Sequence, residues 1–197
     1  METSPAPTQE RGRPTPSPSV PFMPDRIPSP PASGTEPPAA NPEPPANREP
    51  PAGYGRYLVE HFKIDTTLAD HITASACSAG SRFGFAPSLL LAIMAVESSY
   101  RPDAANGQSV GLMQVNAHAH ADKIATIGGT RALRDIDKNV YVGAWVLREL
   151  RDRSRSMLEA LARYSGAKTL ATGYPQRVQA HQHALERAAP ASTGCQS

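Results

Sequence analysis

LLAIMAVESSYRPDAANGQSVGLMQVN, residues 90–116, decides how the chain is read. Its first part is apolar for two helical turns and then delivers an acid, Glu97, followed by Ser98, Ser99 and Tyr100. Leu90 and Ile93 stand seven and four residues before Glu97, so a helix sets all three on one face. An acid on an apolar face loses the solvation of its charged form, which lifts its pKa toward the range a general acid needs. The competing reading is a helix-end glutamate that points into solvent, because perturbed acids mark functional sites only as a tendency. Past Glu97, Pro102, Asn106 and Gly107 break the helix and reverse the chain. Gly111-Leu112-Met113-Gln114 then returns toward the acid, bringing a glutamine whose amide both donates and accepts, as recognition of an acetamido group requires.

Outward from this stretch the chain reads as helices. Asp65 caps a helix from Thr66 in which Leu68, Ile72 and Cys77 are the apolar positions, and Gly80 is expected to loosen its end. Gly84 and Pro87 reset the chain, with Pro87 in the first turn of the glutamate helix. Asn116 is expected to cap a short turn through His118, His120 and Asp122. Two-residue alternation splays that His-x-His-x-Asp run around a helix and no further ligand is placed beside it, so no metal site is expected. His61 and His71 read as surface or half-buried helical residues. Gly128 and Gly129 mark a loop, Arg131 to Arg134 a short turn, and Asp137 opens the clearest long helix, DKNVYVGAWVLRELRDRS. Val140, Ala144 and Leu147 form one of its stripes; Tyr141 and Trp145 form the next and read first as core packing. Further on, Tyr164 precedes the small segment Ser165-Gly166-Ala167, an arrangement that lets an aromatic hydroxyl reach over a cleft beside an acid. Gly173-Tyr174-Pro175 starts the last helix, with His181 and His183 beyond it on the surface.

Composition divides the chain. Residues 1–52 hold 17 of the 21 prolines, interleaved with Ser, Thr, Ala, Glu and Asn, a mixture that cannot bury a core. Residues 1–53 are therefore expected to be a disordered leader or tether, residues 54–188 one folded domain, and residues 189–197 a disordered tail. The leader carries no dense basic block, which argues against nucleic acid as a partner, and the formal charge of +2 biases the surface only weakly toward anions. No run approaches the roughly 18 apolar residues of a transmembrane helix. The first residues contain no apolar segment of the signal-peptide kind. Cys77 falls in a helix and Cys195 in a small polar tail, so both are expected to be free thiols.

Taken in order, Glu97-Ser98, Gly111-Leu112-Met113-Gln114, Asn139-Val140, the Tyr164 element and Tyr174-Pro175 with Val178 resemble the catalytic domain of the soluble lytic transglycosylases. These goose-lysozyme-like enzymes cleave bacterial peptidoglycan. The resemblance spans about residues 64–187 and implies an all-α, lysozyme-like domain of the goose type with a cleft. It implies Glu97 as the catalytic acid, with Ser98, Gln114, Tyr164, Met113 and Asn116 toward the substrate, Met113 reading also as core. Asn139 and Tyr174 are implied as structural support, and no cofactor or metal is implied. Three departures stand out: Asn106 where the family often has serine, Val115-Asn116 where many members have a second methionine, and Ser165 where asparagine is usual.

The implied chemistry is non-hydrolytic cleavage of the bond between N-acetylmuramic acid and N-acetylglucosamine, closing a 1,6-anhydro ring. No second carboxylate stands near Glu97 in the sequence except Asp103, which lies in a polar turn. A lysozyme-like muramidase would need Asp103 or Asp122 to activate water. A further alternative is a weakly catalytic glycan-binding or secretion-apparatus subunit on the same fold. The expected partners are peptidoglycan strands and, beyond them, a secretion or envelope-spanning complex, with the protein itself a monomer. The expected location is the cell envelope, or the exterior by a route the sequence does not display.

Overall fold

A computed structural model describes residues 53–167, 173–189 and Cys195, which belong to one compact unit. The expected leader, apart from Gly53, lies outside the described residues, as do residues 190–194 and 196–197 of the expected tail. Among the described residues the chain is predominantly α-helical: α1 (Gly53–Phe62), α2 (Thr66–Phe83), α3 (Pro87–Ser98), α4 (Ala121–Thr126), α5 (Ile136–Asp152), α6 (Met157–Tyr164) and α7 (Tyr174–Ala188). A 3-10 turn, Thr130–Arg134, precedes α5.

The centre of the fold is α3. Every residue from Ser88 to Ala95 is buried, so this helix is apolar on all sides rather than amphipathic, and it must be enclosed to be stable. The enclosure is made by α2 and α7; α2 rests in turn on α1 and α5, and α5 carries α6. Pro87 stands in the first turn of α3, where its missing N–H leaves no hydrogen bond unmade. The helix stops because Ser99 (φ 51°) and Tyr100 (φ 60°) both turn left-handed, a conformation costing a non-glycine residue about 1 kcal/mol or more. Burial offsets that cost: the Tyr100 ring is fully enclosed, edge-on to Phe62 at 4.6 Å.

The all-α reading omits one feature. Ala105–Asn106, Ser109–Val110 and Val115–Asn116 pair as a three-stranded antiparallel sheet, with Val110 opposite both Ala105 and Val115. Strands of two residues are too short to display alternation, so the sequence shows only the turns between them. α1 also escaped delineation; it begins at Gly53 and contributes Tyr54 and Leu58 to the core.

Local signals explain most helix boundaries. Asp65 Oδ1 accepts from the backbone N–H groups of Thr67 (2.8 Å) and Leu68 (3.3 Å), as its position predicts. Gly80 does not loosen α2: a Cβ there would fall 2.6 Å from the Phe85 carbonyl, so the glycine permits close packing inside a helix that runs on to Phe83. Gly84 (φ 73°) closes α2, and the Gly84 and Phe85 N–H groups both donate to the Gly80 carbonyl. α5 is capped by Asp135, whose carboxylate accepts from Lys138 N at 3.0 Å, two residues before the expected Asp137. Asp137 instead accepts from Ser75 Oγ on α2 and pairs with His71 at 3.2 Å. Tyr141 and Trp145 are only half-buried: Phe83 at the end of α2 and Tyr141 and Trp145 on α5 form an edge-to-face strip, and Lys123 Nζ stands 5.3 Å over the Trp145 ring.

The expectation of free thiols is overturned. Cys77 on α2 is bonded to Cys195, across a sequence separation of 118 residues, with the Cα atoms 5.8 Å apart. Nothing in a pair of isolated cysteines announces such a contact, because it depends on where the chain end returns. Ala189 is likewise buried against the core. A crosslink over so long a loop restricts the unfolded chain, so Cys195→Ser, or reduction of the parent, should lower stability by about 2–4 kcal/mol. Denaturant unfolding with and without reductant measures this; a reduced protein with an unchanged midpoint would refute it.

Candidate active site

The end of α3 faces a cleft of about 480 Å³ lined by Glu97, Asn106, Ser109, Gln114, Tyr164, Tyr174 and Arg177, among others. Ser109, Gln114, Tyr164 and Ser165 also border a second arm, about 350 Å³, that runs on past Asn116, His120, Val146 and Arg163. The result is an elongated groove with an acid in one arm. A separate cavity between α2 and α5, lined by Ser75, Asp137 and Tyr141, contains none of these groups.

Glu97 is half-buried at the last turn of α3. Burial raises its pKa, opposed by a hydrogen bond from Tyr174 and by the positive charge of Arg177, and the net direction is upward. The Tyr174 hydroxyl donates to Glu97 Oε1 at 2.7 Å. Burial and then the Glu97 charge hold the Tyr174 phenol far above its ordinary pKa, so it stays a donor. Among the described residues Glu97 is the sole carboxylate lining this arm. Asp103 is exposed in the turn, and Asp122 is exposed and paired with Lys123 at 3.1 Å.

The two tyrosines exchange their expected places. Tyr174, expected as structural support, holds the acid, while Tyr164, expected beside the acid, donates to the Met113 carbonyl at 2.9 Å. Tyr164 still borders both arms of the groove, and the charge of Glu97 reinforces burial in raising its pKa. Gln114 lines the cleft, but its Nε2 donates to the Ala104 (3.1 Å) and Gly111 (2.9 Å) carbonyls, so only the amide oxygen is left for a ligand. Gln114 also sits at φ 45°, a left-handed strain held by those bonds.

Ser98 does not reach the cleft. It is 3 % exposed and its hydroxyl is bonded to the Met94 (3.1 Å) and Leu112 (2.8 Å) carbonyls, tying α3 to the returning chain. As the residue after Glu97 it points about 100° away around the helix. Met113 is fully buried and packs on Gly143, where a Cβ would come 2.7 Å from the Met113 Cβ; it is core. Asn116 borders the second arm while its Oδ1 accepts from His118 N (3.0 Å) and Ala119 N (2.9 Å), the turn expected of it.

Asn139 binds the floor together. Its Oδ1 accepts from Met113 N at 2.9 Å and its Nδ2 donates to the Val110 (2.8 Å) and Leu133 (2.9 Å) carbonyls. Gly111 (φ 80°) makes this approach possible, because a Cβ there would overlap the Asn139 amide. The sequence reading passed over Ser109 and Arg177 as cleft residues. Arg177 was detectable, since three residues after Tyr174 on a helix is the same face.

Two outcomes follow from the ionisation of Glu97. Tyr174→Phe removes a donor that favours the carboxylate, so the Glu97 pKa should rise further; an NMR titration showing no rise would deny the bond that role. In the parent, the folded state keeps the Glu97 proton to higher pH than the unfolded chain does. Stability is therefore lost as pH rises from the unfolded pKa through the folded one. Glu97→Gln should escape that loss and be the more stable protein at pH 8 but not at pH 4, as read by denaturant unfolding; no difference between the two pH values would contradict it.

Residues 75–181 match the family model described as Transglycosylase SLT domain. No curated protein and no solved structure matches the chain. The matched span covers α3, the sheet, both tyrosines and Arg177, and on that basis the chain belongs to the Transglycosylase SLT domain family, as a peptidoglycan-cleaving lytic transglycosylase.

Proposed function

We propose that Glu97 alone performs both proton transfers of the lytic reaction, in a cleft of the goose-lysozyme type. The observation that carries this reading is the lone carboxylate: half-buried, its pKa raised, held at 2.7 Å by Tyr174, and with no second acid among the described residues lining its arm of the groove. Protonated Glu97 donates to the glycosidic oxygen, and N-acetylglucosamine leaves with that proton. The acetamido oxygen of the muramoyl residue bonds to C1 and carries the positive charge as an oxazolinium ion. Glu97, now ionised, takes the proton of the C6 hydroxyl. O6 attacks C1, the acetamido oxygen departs, and the 1,6-anhydro ring closes without water.

A hydrolase would need a base to activate water on the opposite face of the ring, and neither Asp103 nor Asp122 borders the arm that holds Glu97. The Tyr174 hydroxyl and the Arg177 charge favour the ionised acid, helping after the first transfer without cancelling the effect of burial. The Gln114 oxygen is placed to accept from an acetamido N–H. An elongated groove suits a polymer threaded across the acid better than a small sugar. The Cys77–Cys195 bond fits an oxidising compartment, which agrees with a substrate located in the cell envelope.

Digestion of purified peptidoglycan should release fragments with 1,6-anhydromuramic ends, lighter by one water than reducing-end counterparts in mass spectrometry. Glu97→Gln should fold and lose activity by at least about 10²–10⁴-fold. Reducing-end sugars as the initial product would replace the proposal with hydrolysis.

A further inference from the structure

We infer that Arg177 is a specificity-determining residue that binds a carboxylate on the C3 side arm of the muramoyl residue, a reading that rests on the glycan-cleaving role proposed above. Arg177 follows Tyr174 by three residues on α7, so the helix presents both to the cleft that holds Glu97. Its guanidinium stands 5.9 Å from the Tyr174 ring centroid, a stacking that restrains a long side chain over the wall of the cleft.

Arg177 is the cation that lines the Glu97 arm, and among the described residues it forms no ion pair. Arg163, the arginine of the second arm, is held by Glu159 at 2.7 Å. Arg177 forms no such pair, and among the described residues lining its arm Glu97 is the sole acid. The carboxylate its charge acts on is Glu97, whose role begins in the protonated state. An exposed guanidinium on the wall of a groove, planar and with paired donors, is suited to a carboxylate brought by the ligand.

Peptidoglycan carries one at the right place. The lactyl ether lies at C3 of the ring whose C1 is cleaved, so its arm emerges within a few ångströms of the acid. In stripped strands the lactyl carboxylate is free; in substituted strands it is amidated to a stem peptide that bears carboxylates of its own. Both sources present the same group to Arg177. An uncharged N-acetylglucosamine polymer presents none, so the contact separates muramoyl strands from chitin-like ones by charge as well as by shape.

The test uses the full chain and its Arg177→Gln and Arg177→Lys variants on three substrates: strands with stem peptides, strands stripped to the free lactyl group, and strands of both kinds whose carboxylates are converted to neutral amides. Arg177→Gln should raise KM about ten-fold on carboxylate-bearing strands, any fall in kcat from the altered Glu97 balance being the same on every strand, and Arg177→Lys should recover part of the KM rise. On amidated strands parent and Arg177→Gln should have the same KM. A loss confined to one of the two charged substrates identifies which source supplies the carboxylate. An equal rise of KM on amidated strands, or KM unchanged on every strand, would overturn the inference, while a parent that cleaves none of the strands would overturn the proposed activity instead. In that event the affinities of Glu97→Gln and Glu97→Gln/Arg177→Gln for the same strands still decide the role of Arg177: a charge-dependent difference supports it and none rejects it.

Discussion

The structure depends on the enclosure of α3. A helix buried from Ser88 to Ala95 on every side has no solvent face, so its neighbours are obliged to surround it. That obligation brings α7 against α3 although 75 residues separate Ser98 from Gly173 in the chain. Packing by the hydrophobic effect is non-directional, yet here it sets a polar contact to within hydrogen-bond distance, since Tyr174 at the start of α7 meets Glu97 at the end of α3. The same docking carries Arg177 to the cleft wall. The placement of the candidate site is thus a by-product of covering one apolar helix.

The acid gains its character from opposed effects. Enclosure disfavours the ionised form, while Tyr174 and Arg177 favour it, and burial is the larger influence. Such a balance suits the role proposed for Glu97, first giving a proton and then taking one, because neither protonation state is stabilised so far that the other becomes inaccessible. Stability is given up to obtain it: a glutamate kept from water weakens the fold as pH rises through its raised pKa.

On the other side of the groove, rigidity comes from one amide. Asn139 makes three hydrogen bonds to backbone groups of Val110, Met113 and Leu133, fastening the sheet and the 3-10 turn to α5. Buried backbone groups cost free energy when unpaired, so a single side chain that satisfies three of them keeps the returning chain in one position. Gly111 and Gly143 allow it, one by letting the Asn139 amide approach and the other by receiving Met113. Against this frame Gln114 keeps its left-handed backbone and presents its amide oxygen to the cleft.

Much of this was legible in residue order. Period placed α2, α3 and α5, an Asp65 cap and a first-turn Pro87 marked the starts of α2 and α3, and the apolar run ending in Glu97 pointed to the direction of its pKa, because helical spacing and desolvation act over a few residues. The Asn139-Val140 motif implied structural support by Asn139, which is where the chain makes a tie. The order of motifs pointed to the family. What residue order did not contain is which tyrosine holds the acid, that Ser98 turns inward, that two-residue strands pair, and that Cys77 meets Cys195. Each of these is a meeting of groups distant in sequence, or a choice of side around a helix of which two neighbouring residues cannot both share the face. Such choices follow from how α3, α7 and the chain end pack together, and no local propensity encodes them.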